Sequence, residues 1–425
     1  MDRFIIEGGT PLRGKVAVEG VKNVILPMMC AALMADDGVT IIRDVPNLRD
    51  IKVLRMLIGE LGGESEFDER ERTITIDAAR VDKTVAPYEL VKQMRASFLL
   101  AGALLGKFGE FHISLPGGCA IGARPVNFHL EGFKKLGAAV TEESGHLVAR
   151  ADRLKGATIC LDYPSHTGTE NLMMAAVRAG GKTVIENAAS DPEVRDFGNY
   201  LNAMGANISG LGTSTVMIDG VDRLTAVSYT PIPDRIVAGT YMCAAAVTAG
   251  EIEIENIHES DIRIVMDKLS NMGVEFEKKT GGTVMVKGPA RLRSVDLTTI
   301  PYPGFPTDLQ PPFMACLACA EGVSLIRETV FENRFIHAAE LNRMGAYIRV
   351  AGDKAVVVGV PCLTGAPVMS SDLRAGAALV LAGLAAHGTT TVDRVYHIDR
   401  GYEKMETKLQ ALGAHITRGD DSEDT

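Results

Sequence analysis

The fold is decided by the helix–strand–helix segment TYMCAAAVTAGEIEIENIHESDIRIVMDKLSNMG at residues 240–273. Its first part is apolar and rich in Ala on nearly every side, which predicts a helix that is buried all round. Gly250 follows as the expected C′ residue, because glycine accepts the left-handed conformation in which helices often end. The alternation EIEIEN then predicts a strand, and residues 260–273 predict an amphipathic helix with one apolar stripe.

The same pattern recurs six times along the chain. A helix-ending tripeptide recurs every 68–75 residues, and its central glycines are Gly62, Gly137, Gly205, Gly273, Gly345 and Gly413. A second glycine precedes each of them, between an Ala-rich or Leu-rich segment and a β-branched one; these are Gly38, Gly109, Gly181, Gly250, Gly322 and Gly388. Six near-constant steps favour internal repeats over chance, each read as helix, Gly, strand, loop, helix, Gly, strand.

The repeats divide into three plus three. Two prolines interrupt local structure in SYTPIPDR at residues 228–235, between the third and fourth repeats. We therefore predict an α/β protein of two three-repeat domains, with helices buried inside sheets. The last residues, RGDDSEDT at 418–425, are acidic and lack apolar side chains, so we predict a disordered tail.

Composition excludes several classes of protein. The 425 residues carry a net charge of −10 without a basic stripe, which argues against a nucleic-acid partner. No secretory signal is visible at the N-terminus, and the longest apolar run, residues 375–386, is too short to span a bilayer. The 7 cysteines have no framework spacing, so we expect reduced thiols and a cytoplasmic protein. None of the 9 histidines has metal-binding spacing, and no metal, cofactor or obligate protein partner is expected.

One repeat carries a longer loop that could be functional. The paired glycines of the second repeat are 28 residues apart instead of 23 to 25, and the extra residues fall in LPGGCAIGARPVNFHL at 115–130. Its glycines and prolines predict an exposed loop, on which the cation of Arg124 would lower the pKa of Cys119. That thiol could serve as an acid or a nucleophile; the alternative is a small buried side chain.

Several charged residues stand next to apolar helices. Lys22, Arg95 and Arg374 begin apolar segments, and Arg400 lies in HIDRGYE. Singly each is more often a surface charge, but together with helix N-termini they predict a pocket for an anionic small molecule. Asp308, in YPGFPTDLQPPF, could be a helix N-cap or a base that receives a hydroxyl proton.

Seven motifs carry a resemblance to a known family. They are VKNVILP at 21–27, MRASFLLAG at 94–102, LPGGCAIGARPV at 115–126, YPGFPTDLQ at 302–310, ETVFENRF at 328–335, SDLRAGAAL at 371–379 and HIDRGYE at 397–403. With them the chain resembles the UDP-N-acetylglucosamine 1-carboxyvinyltransferases, which are enolpyruvyl transferases, along nearly its whole length. The resemblance implies two inside-out α/β barrel domains, each of three repeats, with the substrate cleft between them. It implies residues 21–229 for the first domain and 1–20 plus 230–417 for the second.

The resemblance also implies an activity. The enolpyruvyl group of phosphoenolpyruvate would be transferred to the 3′-hydroxyl of UDP-N-acetylglucosamine by addition and elimination, with release of phosphate. This reaction is the first committed step of peptidoglycan precursor synthesis, and so bears on cell-wall biogenesis, cell shape and cell division. Cys119 would protonate the methylene carbon of phosphoenolpyruvate, form a covalent adduct and be alkylated by fosfomycin.

The remaining site residues are carried over by position. Those implied to hold phosphoenolpyruvate are Lys22, Asn23, Arg124, Arg334, Arg374 and Arg400. Those implied to contact the sugar nucleotide are Arg95, Arg124, Pro125, Val126, Asn127, Phe128, Ser165, His166, Asp308 and Val330. Asp308 would also be the base for the 3′-hydroxyl, which makes Cys119, Asp308, Lys22 and Arg400 the implied catalytic set.

Two departures from the family pattern leave the uridine contacts open. Residues 165–169 read SHTGT where the family usually has SVGAT, and Asn127 stands where the family usually has Asp. Two other functions therefore stay open: enolpyruvyl transfer to a different hydroxyl acceptor, and a sugar-nucleotide-binding paralogue without catalysis. The intact set of Cys119, Lys22, Asp308 and Arg400 argues against the second.

Overall fold

The structure is a computed structural model that describes residues 2–114, 126–143 and 145–419. Its strands, in chain order, are β1 (Arg3–Glu7), β2 (Arg13–Ala17), β3 (Val39–Ile42), β4 (Glu64–Asp68), β5 (Thr73–Asp77), β6 (Val85–Ala86), β7 (Glu110–Ser114), β8 (Ala139–Glu143), β9 (His146–Arg150), β10 (Thr158–Cys160), β11 (Lys182–Glu186), β12 (Asn207–Ser209), β13 (Thr215–Asp219), β14 (Ser228–Tyr229), β15 (Glu251–Glu255), β16 (Glu275–Lys279), β17 (Thr283–Lys287), β18 (Leu297–Thr299), β19 (Val323–Glu328), β20 (Tyr347–Ala351), β21 (Lys354–Val358), β22 (Pro367–Met369), β23 (Thr389–Asp393) and β24 (His415–Gly419).

The helices alternate with these strands. They are α1 (Lys22–Ala32), α2 (Arg49–Glu60), α3 (Tyr88–Val91), α4 (Leu100–Phe108), α5 (Asn127–Lys135), α6 (His166–Ala176), α7 (Pro192–Ala203), α8 (Arg235–Val247), α9 (Glu259–Asn271), α10 (Gln310–Ala318), α11 (His337–Arg343), α12 (Leu373–Ala385) and α13 (Met405–Ala411). Three 3₁₀ helices are also present in the described chain: Arg95–Leu99, Thr307–Leu309 and Val395–Arg400.

Contacts between Cα atoms divide the described residues into two compact units. The amino-terminal unit contains residues 20–114 and 126–232, and the carboxy-terminal unit contains residues 2–19 and 233–419. Each unit has its own hydrophobic core. The first residues of the chain belong to the carboxy-terminal unit because β1 pairs with β23 and β24, and β2 pairs with β15.

Each unit builds three four-stranded sheets from its described residues. In the amino-terminal unit the strand orders are β14-β3-β5-β4, β6-β7-β9-β8 and β10-β11-β13-β12. In the carboxy-terminal unit they are β16-β17-β15-β2, β18-β19-β21-β20 and β22-β23-β1-β24. All six sheets repeat one pattern, in which an edge strand pairs parallel with its neighbour and the other two pairings are antiparallel. The repeats predicted from the glycine spacing therefore correspond to repeated structure.

The Ala-rich helices form the interior of each unit, as predicted. Helices α1, α4 and α6 contact one another in the amino-terminal unit, and α8, α10 and α12 do so in the carboxy-terminal unit. In α8, every residue except Val247 is buried. The second helix of the same repeat, α9, is amphipathic as predicted. Its buried face includes Asp261, whereas Ile264 is only half-buried.

The glycine prediction holds at the ends of the amphipathic helices, where one glycine directly follows each C-cap residue: Gly62, Gly137, Gly205, Gly273, Gly345 and Gly413. Among the inner helices of the described chain, α4 ends at its glycine, the C-cap Gly109. The prediction was wrong for Gly38, Gly181, Gly322 and Gly388, which lie three to six residues beyond the last residues of α1, α6, α10 and α12.

All the recurring glycines except Gly250 adopt left-handed φ values, between 75° and 110°. There the left-handed residue is Ala249, with φ at 49°. Gly250 has a different reason to be glycine, because a Cβ at this position would lie 2.5 Å from the carbonyl oxygen of Leu12. The prediction of Gly250 as the left-handed residue was therefore wrong by one position.

The carboxy-terminal end of the fold differs from the predicted tail. Arg418 and Gly419 belong to β24, so the prediction of disorder from residue 418 was wrong for these two residues. Arg418 is held there because its guanidinium binds the carboxylates of Asp399 and Glu406. Residues 420–425 lie outside the described residues. Over the described chain, no helix combines the length and apolarity that crossing a membrane requires.

Candidate active site

A carboxylate bound by two arginines lies at the start of α10. Asp308 is in the 3₁₀ helix that leads into α10, and its side chain is 28% exposed. Its Oδ1 accepts a hydrogen bond of 2.9 Å from Arg334 Nη2, and its Oδ2 accepts one of 3.1 Å from Arg374 Nε. The N-cap of α10 is Leu309, so the N-cap interpretation of Asp308 was wrong.

The two guanidinium groups are almost fully buried. The side chains of Arg334 and Arg374 are 2% and 4% exposed, and each guanidinium lies 5.3 Å from an aromatic ring, that of Phe331 and that of Tyr402. Burial alone would lower the pKa of Arg374. Tyr402 and the carboxylates of Asp308 and Asp234 have the larger, opposite effect, so this pKa lies above the usual value for arginine. Two permanent cations therefore hold Asp308 by charge-assisted hydrogen bonds.

Helix starts converge at this end of the carboxy-terminal unit. Arg374 is the second residue of α12, whose N-cap Asp372 accepts hydrogen bonds from the backbone N–H groups of Arg374 and Ala375 at 2.9 and 3.0 Å. Asp234 caps α8 in the same way. Each of these two helix N-termini is thus bound by a carboxylate, and the charge of Asp234 also acts on Arg374.

Arg400 and Val330 also belong to the carboxy-terminal unit. Arg400 ends the 3₁₀ helix Val395–Arg400 and is half-buried. The preceding residue, Asp399, accepts two hydrogen bonds from Arg418, of 3.0 and 2.6 Å. Val330 is half-buried, and its backbone N–H donates to Glu328 Oε1 at 2.9 Å.

In the amino-terminal unit, Lys22 forms a buried ion pair. It is the first residue of α1, and its Nζ donates to Asp50 Oδ2 at 3.1 Å. The two side chains are 10% and 5% exposed. Asn23 follows on α1 and is half-buried. The charge that the sequence predicted for an anion pocket is thus partly neutralised within its own unit.

A neutral hydrogen-bond network lies beside Arg95, the half-buried first residue of the 3₁₀ helix before α4. Asn171 Nδ2 donates to the carbonyl of Phe98 at 3.0 Å and to His129 Nδ1 at 2.9 Å, and Asn171 Oδ1 accepts from the N–H of Gly102 at 2.6 Å. A Cβ on Gly102 would lie 2.2 Å from the backbone oxygen of Asn171, so only glycine fits there. Burial, with Arg95 acting in the same direction, lowers the pKa of His129 to about 3, which keeps the imidazole neutral.

Two members of this network, Phe98 and His129, line a small cavity of the amino-terminal unit. Arg95, Val126, His129 and Thr167 all line the cavity. Val126 is buried at the N-cap of α5, Asn127 is exposed as its first residue, and Phe128 is half-buried. The structure therefore brings Arg95 and Val126, two of the predicted sugar-nucleotide contacts, to one cavity.

A charged pair stands at the start of α6. Ser165 is the N-cap, and its Oγ accepts a hydrogen bond of 3.1 Å from the N–H of Gly168. His166 directly follows Ser165, and its Nε2 lies 3.1 Å from Oε1 of Glu170, one helical turn further along. The side chain of Glu170 is fully buried. Burial opposes the charge of His166, but Glu170, with Asp191 and Glu193, outweighs it and raises the pKa of the imidazole to about 10. The same burial raises the pKa of the Glu170 carboxyl against the attraction of His166, so the two groups titrate as one coupled pair.

Sequence reasoning missed several partners that the structure supplies. Asp50, Asn171 and Glu328 were not singled out, because each acts on a residue distant in the chain. Glu170 had a usable signal, since it follows His166 by four residues and such pairs meet on a helix. Of the predicted site, Cys119, Arg124 and Pro125 lie outside the described residues.

Comparison with known proteins identifies the family to which the chain belongs. The profile of a family described as EPSP synthase (3-phosphoshikimate 1-carboxyvinyltransferase) matches residues 6–409. UDP-N-acetylglucosamine 1-carboxyvinyltransferase 1 of Caldanaerobacter subterraneus subsp. tengcongensis is 52% identical over 416 residues, which cover 98% of this chain and 99% of that protein. UDP-N-acetylglucosamine 1-carboxyvinyltransferase of Trichlorobacter lovleyi is 52% identical over 419 residues, with 98% and 99% covered.

Solved structures show the same architecture. The enolpyruvyl transferase NikO from Streptomyces tendae has a TM-score of 0.90 at 28% identity, with 98% of each chain covered. EPSP synthase from Acinetobacter baumannii shares the fold, with a TM-score of 0.77 at 19% identity over 99% of this chain and 100% of that one. The chain belongs to the EPSP synthase family of carboxyvinyl transferases. The resemblance drawn from the motifs is confirmed, and so is the class of two inside-out α/β units of three repeats. The chain is a transferase.

Proposed function

We propose that this transferase moves the enolpyruvyl group of phosphoenolpyruvate to the 3′-hydroxyl of UDP-N-acetylglucosamine and releases phosphate. The observation that carries the proposal is the Asp308 carboxylate, held by Arg334 and Arg374 yet still 28% exposed. The names of the relatives that are 49–52% identical support this acceptor over another hydroxyl compound. The reaction would supply the first committed step of peptidoglycan precursor synthesis.

The chemistry requires a base for the acceptor hydroxyl. Each carboxylate oxygen of Asp308 receives guanidinium hydrogen bonds but has further lone-pair capacity, so a sugar hydroxyl can donate to it. As Asp308 takes the proton, the acceptor oxygen bonds to C2 of phosphoenolpyruvate, while C3 receives a proton from Cys119. The Cys119 thiolate then takes one proton from the C3 methyl group as phosphate leaves C2, which restores the double bond and the thiol. The proton on Asp308 leaves with the phosphate or passes to solvent.

The cations have a separate task. Phosphoenolpyruvate carries a carboxylate and a phosphate on three carbons, so several positive groups are needed to bind it. We assign the cations of Lys22, Arg124 and Arg400 to this substrate. Two further cations, Arg334 and Arg374, and the neutral amide of Asn23 complete its binding site. We assign Arg95, Ser165, His166, Val330 and residues 124–128 to the sugar nucleotide.

A phosphate-release assay tests the proposal. The purified protein is incubated with phosphoenolpyruvate alone, with UDP-N-acetylglucosamine, and with UDP-glucose as a matched acceptor that lacks the N-acetyl group. Phosphate release that depends on UDP-N-acetylglucosamine supports the proposal. Release only with another acceptor supports transfer to that hydroxyl compound, and binding without release supports a non-catalytic paralogue.

The role of Cys119 has its own test. We infer that Cys119 is the proton donor to C3 and the residue that fosfomycin alkylates in a cytoplasmic enzyme serving cell-wall growth, cell shape and division. Cys119→Asp keeps an acid at this position, so turnover should persist while sensitivity to fosfomycin disappears. An Asp variant that is as sensitive as the wild type would assign the drug to another residue.

A further inference from the structure

A buried carboxylate, that of Glu328, contacts the residue before Asp308 and has no role in the substrate binding proposed above. Glu328 is the last residue of β19 and is 3% exposed. Its Oε1 accepts hydrogen bonds from Thr299 Oγ1 at 2.7 Å and from the backbone N–H groups of Val330 and Phe331 at 2.9 and 3.2 Å. Its Oε2 accepts from Thr307 Oγ1 at 2.9 Å. A buried carboxylate that accepts four hydrogen bonds is strongly held in one orientation.

These bonds reach both members of the Asp308–Arg334 pair. Thr307 directly precedes Asp308 in the 3₁₀ helix. Val330 and Phe331 begin the loop that carries Arg334, and the Phe331 ring packs against the Arg334 guanidinium. One carboxylate thus ties together the two chain segments that bring the base and its guanidinium partner, 26 residues apart in sequence, into contact.

The direction of the hydrogen bonds adds a constraint. An ionised carboxylate only accepts, so the single hydroxyl hydrogen of Thr307 points to Glu328. The lone pairs of Thr307 Oγ1 then face Arg334, whose Nη1 lies 3.4 Å away. That contact orients the guanidinium so that Nη2 donates to Asp308 Oδ1 at 2.9 Å. The chain Glu328, Thr307, Arg334, Asp308 is therefore one polarised network.

We propose that Glu328 is a positioning residue for the acceptor-hydroxyl base, acting through Thr307 and Arg334 on the Asp308 carboxylate. This inference rests on the proposed role of Asp308. Misplacing a reacting group by about 1 Å costs up to about 100-fold in rate, so a network that fixes the carboxylate influences turnover without touching substrate.

The most direct test replaces Thr307, which links the two halves of the network. Thr307→Val keeps the side-chain shape and removes the hydroxyl; Thr307→Ser keeps the hydroxyl and removes a methyl group. We expect kcat to fall about 10- to 100-fold in Thr307→Val, with the KM for phosphoenolpyruvate within about twofold of wild type. We expect Thr307→Ser to recover kcat to within about threefold of wild type, and the acid limb of the kcat pH profile to move only in the Val variant.

A double-mutant cycle assigns the effect to Glu328. Glu328→Gln should lower kcat in the same direction, and the Glu328→Gln/Thr307→Val double variant should be no slower than the slower single variant, because both break one chain of bonds. Asp261→Asn is the matched control: it removes another buried charge of the same unit, on α9, and should leave kcat within about twofold. Urea unfolding of each variant separates folding defects from kinetic ones.

Several outcomes overturn the inference. They are a wild-type kcat in Thr307→Val, equal losses in the Val and Ser variants, or fully multiplicative losses in the double variant. If Glu328→Gln does not fold, the Thr307 pair decides alone. The proposed function fails separately, when the wild-type protein releases no phosphate with UDP-N-acetylglucosamine; the variants are then compared with the acceptor that the wild type does use.

Discussion

The two units share one backbone plan but carry opposite ion arrangements at the starts of their inner helices. In the carboxy-terminal unit, the carboxylate of Asp308 is bound by two buried guanidinium groups. In the amino-terminal unit, the ammonium group of Lys22 is bound by one buried carboxylate, Asp50. In the first arrangement one carboxylate contacts two guanidinium groups, and in the second one ammonium group contacts one carboxylate. Repetition of the fold therefore does not repeat the chemistry, because side chains at equivalent helix starts differ.

The units also differ in how they hold their helix starts together. The amino-terminal unit uses neutral groups, with Asn171 bridging His129, Phe98 and Gly102. The carboxy-terminal unit uses charged groups, with Glu328 and Arg334 on either side of Thr307. The hydrogen bonds of a neutral network persist as long as its members stay uncharged. Those of a charged network require that its members stay ionised. Four predictions sharpen this comparison.

The largest effect is expected at the carboxylate between two arginines. Asp308→Asn removes the proposed base but keeps an oxygen that can accept a guanidinium hydrogen bond. We expect kcat to fall about 100- to 10,000-fold in the phosphate-release assay, the range typical of general base catalysis. Circular dichroism should show an intact fold. A kcat within about threefold of wild type would remove Asp308 from the chemistry.

The next effect concerns the buried pair of the amino-terminal unit. Asp50→Ala leaves Lys22 buried without its carboxylate partner, and we expect the free energy of unfolding to fall by about 3 kcal/mol. The control is Glu64→Ala, which breaks the exposed Arg80–Glu64 pair and should cost less than about 1 kcal/mol. Equal losses in the two variants, measured by urea unfolding, would contradict a special role for burial.

A buried histidine in each unit predicts a pH dependence. Burial lowers the pKa of His129 to about 3 and that of His337 to about 4; for His337, Asp372 opposes the shift and Arg334 assists it. Unfolded histidine titrates near 6.5, so the unfolded state binds more protons below that pH, and stability falls as pH falls from about 6.5 toward 4 or 3.

The corresponding measurement is urea unfolding between pH 6.5 and 5, above the range in which most carboxylates titrate. Each histidine should contribute a loss of up to about 2 kcal/mol over this window, at about 1.4 kcal/mol per pH unit. His129→Gln and His337→Gln should each reduce the slope of the free energy of unfolding against pH. Variants that keep the wild-type slope would mean that the imidazoles are already charged in the folded protein.

The smallest effect compares helix caps. Ser165 Oγ accepts one backbone N–H of α6, whereas Asp234 Oδ1 accepts two of α8, at 2.9 and 3.0 Å. We expect Ser165→Ala to lower the free energy of unfolding by about 1 kcal/mol and Asp234→Ala by about 2 kcal/mol. The opposite ranking in thermal or urea unfolding would show that cap hydrogen bonds do not decide the difference.

The sequence by itself determined the repeats, the buried Ala-rich helices, and the glycines that end the amphipathic helices. These features depend on local periodicity and on backbone conformation, which neighbouring residues decide. The family resemblance added the site residues by position. Even so, Gly250 was misassigned, because its requirement comes from a distant backbone atom of Leu12.

Only the tertiary structure decided which charges meet. Asp50 is 28 residues from Lys22, and Arg374 is 66 residues from Asp308, so no local pattern links them. The same holds for Arg418, whose acidic neighbours predicted disorder but whose partners Asp399 and Glu406 hold it in β24. Packing brings such groups together in a low-dielectric interior, where pairing and burial set their ionisation, and composition carries no record of either.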